Sequence, residues 1–177
     1  MDSLSIVMHR FTLIFLLLTA MFALGCAERG SFDVYSHKGF SVEFPKSWKF
    51  DRDQDFSFNG DREITFKLGE ASFVAFYFND RHDLKGFTDK YLEAAFLKDE
   101  VSSTKLKSQK DVNIAGRQGI DSQVTANFLG PMNTRVITVD VSSKTEAVIL
   151  AAIISEDDRI DILESLERVV SSIRLAN

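Results

Sequence analysis

Apolar and polar residues alternate along most of the chain from Tyr35 onward, and the period of that alternation marks the elements. Phe40, Val42 and Phe44 alternate with Ser41 and Glu43, which places three apolar side chains on one face of a strand. Pro45 closes that strand because it has no N–H to donate to a ladder. Trp48 and Phe50 continue the same period. The polar run Asp51 to Asp55 interrupts it and predicts a loop. Phe56 and Phe58 then alternate again before Asn59-Gly60, a hairpin-turn signal. Ile64, Phe66 and Leu68 predict another half-buried strand. Ser72 to Phe78 is apolar on both faces and predicts an interior strand.

The period next lengthens to 3.6. From about Asp83 to Lys98, residues Leu84, Phe87, Tyr91, Leu92, Ala95 and Phe96 fall on one helical face, opposite Lys85, Asp89, Lys90 and Glu93. Strand-like stretches return at Thr104 to Val112, Gln118 to Phe128, Thr134 to Ser142 and Ala147 to Ile154. Turn signals separate them at Asn113 to Gly116, at Gly130-Pro131 and near Lys144. Ala147 to Ile154 is apolar throughout, a second interior strand. A helix closes the chain: Ser155 and Asp158 stand at capping-box spacing, and Ile160, Leu163, Leu166, Val170 and Ile173 form its stripe. Strands, helix, strands, helix, with short connections between neighbours, predict an α+β domain, an antiparallel β-sheet flanked by helices.

The opening residues follow a different pattern. Phe11 to Leu24 is a run of 14 residues, apolar but for Thr12 and Thr19, with Met8-His9-Arg10 before it and Gly25-Cys26 after it. A basic flank, a short apolar run and a small residue mark a secretory signal, and a bilayer-spanning helix would need about 20 such residues. Residues 1–25 are therefore expected to be a signal peptide. Translation is expected to start at Met8, because residues 1–7 carry Asp2 and no basic side chain. The ending resembles a bacterial lipoprotein signal, with Ala23 at the position where Leu is usual. That resemblance implies cleavage before Cys26 and a diacylglycerol thioether on it, with palmitate as an expected acyl chain. Ala27 after the cysteine, by the same resemblance, favours the outer membrane. Residues 26–34 then read as the lipidated cysteine and a short tether, and 35–177 as a single domain.

Composition narrows the possible functions. Cleavage leaves 152 residues, enough for one domain to bury most of its surface without a disulfide or metal. The net charge is −5 and stays so after cleavage, since Asp2 and Arg10 cancel. Such a chain repels phosphate backbones and anionic lipid, so nucleic acid is not an expected partner and membrane contact falls to the acyl chains. Thirteen of the sixteen phenylalanines lie beyond the cut, most of them between Phe32 and Phe96. A phenylalanine-packed core is the first reading of this clustering. A phenylalanine-lined pocket for an apolar ligand is the second.

Few residues are spaced for chemistry. Asp51, Asp53 and Asp55 place carboxylates at alternate positions, as calcium loops begin. An EF-hand loop needs Gly at its sixth position and Glu at its twelfth, and here those are Phe56 and Arg62. The three aspartates are a weak calcium candidate at most, beside the plainer reading of a solvated acidic turn. His37 and His82 lack partners at metal-binding spacing, and Asp80-Arg81-His82-Asp83 reads as a polar loop. There is no Gly-x-Ser-x-Gly elbow, and Gly116-Arg117-Gln118-Gly119 lacks the third Gly and the following helix of a phosphate-binding fingerprint. No catalytic residue or cofactor is assigned, and the chain is not expected to be an enzyme.

Tyr35 followed by Gly39-Phe40-Ser41-Val42-Glu43-Phe44-Pro45 and Trp48 resembles the opening of PsbP-like domains. The resemblance continues through Phe87 to Phe96, through Val112-Asn113-Ile114-Ala115-Gly116-Arg117, and into a C-terminal helix, Leu166 to Leu175, that carries Val170-Ser171-Ser172-Ile173. It implies an α/β/α sandwich around an antiparallel sheet. In photosynthetic organisms such domains are extrinsic photosystem subunits that help to retain calcium and chloride; similar DcrB-like domains occur in bacterial lipoproteins. With the signal at residues 1–25, the expectation is a non-enzymatic, lipid-anchored cell-envelope protein that faces the periplasm. It would act as an adaptor or stability factor through contact with another envelope protein.

Overall fold

The computed structural model describes residues 32–56, 61–69, 71–78, 83–97, 105–127, 131–155 and 159–176; the signal segment, Cys26, residues 80–82 and Asp158 lie outside them. The elements in order are β1 (Phe32–His37), β2 (Phe40–Pro45), β3 (Lys49–Phe56), β4 (Asp61–Leu68), β5 (Ala71–Phe78) and α1 (Leu84–Leu92), which a π-helical turn (Glu93–Leu97) extends. There follow β6 (Lys105–Ile114), β7 (Arg117–Asn127), β8 (Pro131–Asp140), β9 (Ala147–Ser155), α2 (Arg159–Ser172) and β10 (Arg174–Leu175). They form two antiparallel sheets, one of seven strands in the order β3-β4-β5-β9-β8-β7-β6 and one of three in the order β1-β2-β10.

The α+β expectation holds, and both interior strands fall where the apolar runs place them. β5 and β9 pair with each other at the middle of the large sheet. Alternation along β9 divides its side chains between two cores. Val148, Leu150, Ala152 and Ile154 face one side, where α2 and the inner residues of β2 pack. Ile149 and Ile153 face the other side, toward Leu84, Phe87 and Tyr91 of α1. Trp48 is 5% exposed and packs on Phe73, ring centroids 5.5 Å apart, in the first core.

The second sheet does not follow from the pattern. Phe40, Val42 and Phe44 do share one face, but that face lies on the large sheet instead of extending its edge. β1 begins at Phe32, so residues 32–34, read as tether, pair with β2. At the other end the helix stops at Ser172. The Ser172 hydroxyl accepts from the Glu43 N–H at 2.8 Å, and Arg174–Leu175 pairs with β2 as strand β10.

Three further expectations are corrected. Asp51 to Asp55 is strand, not loop: β3 is an edge strand, and an edge strand needs no continuous apolar face. In α1 the π-helical turn shifts the helical phase, which leaves Ala95 exposed, while Thr88 is fully buried and bonds to the Leu84 carbonyl and the Thr138 hydroxyl, each at 2.7 Å. The stripe of α2 keeps the expected Leu166, Val170 and Ile173 and is widened by Ile162 and Val169, with Leu163 at its margin; the side chain of Ile160 lies outside the described residues.

Candidate functional site

The charged side chains gather most densely where the small sheet meets the β3 edge of the large one. A bulge in β3 makes this possible. The register shifts between Phe50 and Arg52, so Phe50 stands opposite Phe66, Asp53 opposite Ile64 and Asp55 opposite Arg62. One inserted residue thus turns Phe50, Asp53 and Asp55 to the same side, toward β1, and sends Asp51 to the opposite one. There Asp51 meets Lys67 at 3.2 Å.

Asp53 is the centre of the cluster. Its carboxylate accepts two bonds from Arg62, from Nε at 2.7 Å and from the terminal nitrogen at 2.6 Å. It also takes the Tyr35 hydroxyl, and it lies 2.8 Å from His37 Nδ1. Two further Arg62 N–H groups donate to the carbonyls of His37 and Lys38, each at 3.1 Å. The ion pair is nearly dry, with Arg62 and Asp53 side chains 7% and 10% exposed. The Arg62 fork holds the Asp53 carboxyl well below the usual carboxylate range against the opposing effect of burial, and Tyr35 and His37 add to it. Burial, then the hydrogen bond to Asp53 and the charge of that carboxylate, pushes the Tyr35 hydroxyl up to about 12. A carboxylate so committed is a poor general base. What it does is fasten β1 to the β3–β4 pair.

Beside this clamp lies an open depression of about 280 Å³, walled by Lys38, Asp55, Arg62, Tyr77, Thr145 and Glu146. Lys38 and Gly39 form the two-residue β1–β2 turn, with φ of 45° and 81°, the left-handed pair that a tight hairpin demands. Arg62 and Tyr77 are cross-strand partners, and the guanidinium lies 5.4 Å from the Tyr77 ring centroid. Glu146 is fixed by a turn in which its N–H donates to Ser143 Oγ at 3.0 Å and its carbonyl accepts from the Ser143 N–H at 2.9 Å. The Tyr77 hydroxyl and one Glu146 carboxylate oxygen are buried without a hydrogen-bond partner among the described residues. Atoms in that condition cost about 1–3 kcal/mol each. Burial, then the Glu146 charge, raises the Tyr77 hydroxyl above its ordinary value.

A chain whose seven-stranded antiparallel sheet carries one helix on one face, and a helix with a small sheet on the other, is comparable with solved structures. Cyanobacterial PsbP (CyanoP) from Synechocystis sp. PCC 6803 matches with a TM-score of 0.55 at 10% identity, over 85% of this chain and 95% of that one. The fold is PsbP-like. A protein from Bacteroides thetaiotaomicron matches the PsbP-like domain with a TM-score of 0.50 at 12% identity, over 85% of this chain and 50% of that one. LpqN of Mycobacterium tuberculosis, described as involved in cell envelope biogenesis, has a TM-score of 0.45 at 10% identity, over 86% and 88% of the two chains. No protein-family model and no curated protein matches the sequence.

The PsbP-like domain gathers some of the residues singled out by sequence and separates others. Asp53 and Asp55 share one side of β3, where Asp55 meets Lys38 at 3.4 Å, while Asp51 faces away. Among the described residues no three His, Cys, Asp or Glu side chains stand close enough to hold a metal ion. His37 lies 2.8 Å from the carboxylate of Asp53, 16 residues away, a hydrogen-bonded pair and not a metal-binding one. Tyr35, Arg62, Tyr77 and Glu146 carried no sequence signal as a group, because four separate elements bring them together. Phe40, Phe44, Phe66 and Phe73 are core, while Phe50 is 46% exposed; the gap bounded by Trp48, Phe66 and Phe73 is only about 10 Å³, no larger than one water requires.

Proposed function

We infer that this chain is a non-enzymatic, lipid-anchored protein of the bacterial cell envelope, facing the periplasm and acting through contact with another envelope protein. The observation that carries this reading is the fate of the titratable cluster. Asp53, Arg62, Tyr35 and His37 are spent on one another in fastening a PsbP-like fold, so the densest polar constellation is structural. The sequence supports the anchor: an apolar run ends at Gly25-Cys26, and Cys26 is the only cysteine. Ala27 beside it favours the outer membrane. Two or three acyl chains on Cys26 hold the domain where a single chain binds only marginally.

Two measurements test this. Metabolic labelling with a fatty-acid probe should mark the wild-type chain and not Cys26→Ser, and high salt should leave the wild type in the membrane fraction. A chain that takes up no label and washes off in salt is not a lipoprotein. Crosslinking in intact cells, followed by mass spectrometry, should return one envelope protein repeatedly. A diffuse set of neighbours that scales with abundance would remove the adaptor role.

A further inference from the structure

We propose that the outer edge of β1 pairs with the same edge of a second copy of this chain, joining two small sheets into one. The four edges of the two sheets are not alike. β3 and β6 each carry a bulge and charged side chains, and β10 has only two residues. Natural sheets use such devices to keep other chains off an open edge. β1 has none of them. Its six residues stay in unbroken register with β2, and they include no lysine, arginine or proline.

The two-residue turn fixes which groups of β1 lie open. His37 and Phe40 close the hairpin, so the N–H and C=O groups of His37, Tyr35 and Asp33 point into the β1–β2 ladder, and those of Ser36, Val34 and Phe32 point away. Among the described residues no strand pairs with that side of β1. Exposed apolar surface gathers at the same place. Val34, 66% exposed, stands on this edge, and the exposed Phe50 stacks on its neighbour Tyr35 with ring centroids 5.0 Å apart. A second copy fits because the open groups are symmetric about Val34. Two antiparallel β1 strands with a two-fold axis at Val34 set Val34 against Val34, Asp33 against Tyr35 and Phe32 against Ser36. Every outward N–H and C=O of these residues then has a partner, and no charge stands opposite its own sign. The anchor proposed at Cys26, six residues before Phe32, would also hold this edge within about 20 Å of the bilayer in every copy. That one argument rests on the envelope reading; the pairing itself does not.

Cysteine crosslinking reads both the partner and the register. Opposed α-carbons in such a pair lie ~5.5 Å apart, within disulfide reach, whereas the Ser36 α-carbons of the two copies would lie ~14 Å apart. Val34→Cys in the full chain would be oxidised in intact cells and again after purification in detergent. It should give at least ten times as much disulfide-linked dimer as Ser36→Cys, each counted above the wild-type level. Coexpressed Phe32→Cys and Ser36→Cys should crosslink to each other. Val34→Pro removes only an outward N–H, so circular dichroism should show the fold kept while sedimentation in detergent shifts from dimer to monomer. Val34→Lys, which sets like charges against each other on the axis, should do the same and is the second variant. The proposal fails if the wild type sediments as a monomer at micromolar concentration or if Ser36→Cys crosslinks as well as Val34→Cys. It fails equally if Val34→Cys is joined to a different protein, or if the folded Val34 variants remain dimeric. Fatty-acid labelling of the same samples reports the anchor separately.

Discussion

Asp53 shows how much one side chain can organise when its partners come from elsewhere in the chain. Arg62→Ala would leave its carboxylate buried without a fork, and breaking such a pair from one side costs about 3–5 kcal/mol. A urea denaturation series should read that loss as a lower midpoint at pH 7. The pH dependence has a definite sign. The Asp53 carboxyl titrates lower in the folded chain than its ordinary value near ~3.9, so its contribution is complete above about pH 4 and is lost as pH falls toward the folded value. Tyr35 acts at the opposite end. Its hydroxyl is raised to about 12, so its contribution is complete below about pH 10 and disappears as pH rises through 12. Asp53→Asn should therefore flatten the acid limb of wild-type stability between pH 4 and pH 2.5; an unchanged limb would mean that other carboxylates dominate it. None of this was legible in the sequence. Asp53 lies 9, 16 and 18 residues from Arg62, His37 and Tyr35, and none of those spacings belongs to a motif.

The elements were legible in proportion to how many of their faces are covered. β5 and β9 are buried on both sides, so their residues form continuous apolar runs that have no other explanation. β3 has an open edge and a bulge, and its five consecutive polar residues resemble a loop for that reason. The small sheet was invisible because alternation reports which residues share a face and not which sheet a strand joins. The α2 stripe is wider than the expected row because a helix packed on both a sheet and β2 buries a broader arc. Edge strands also carry charges that discourage pairing with other chains, Arg52 and Asp55 on β3 and Lys105, Lys107 and Lys110 on β6. One glycine tests the closeness of the β7–β8 ladder. A Cβ built on Gly119 would lie 2.8 Å from the Thr138 carbonyl oxygen, which is backbone and cannot swing aside. Gly119→Ala should thus destabilise the fold by about 1–3 kcal/mol, as overpacking does, and a thermal melt that does not move would show that β7 slides freely.

Considered as one body, the large sheet is two local assemblies joined along a single line. β3, β4 and β5 follow one another by hairpins, and so do β6, β7, β8 and β9. The β5–β9 ladder alone connects them, and it pairs Ser72 with Ile153 and Phe78 with Ala147. On it Ala75, Leu150 and Ala151 are wholly buried. Closing so long a loop carries an entropic cost that grows slowly with length but must be met before any contact across the line is gained. Ala151→Gly, on the line, should therefore slow refolding in stopped-flow measurements. An equally destabilising change within the β6–β7 hairpin should mainly speed unfolding, and the reverse result would place the nucleus in the meander. Until the line closes, each half presents an unpaired inner strand, β5 on one side and β9 on the other, apolar and free to pair with another chain. The joint that makes the native sheet continuous is thus also the place where a newly made chain is most open to aggregation, and where a chaperone would have most to protect.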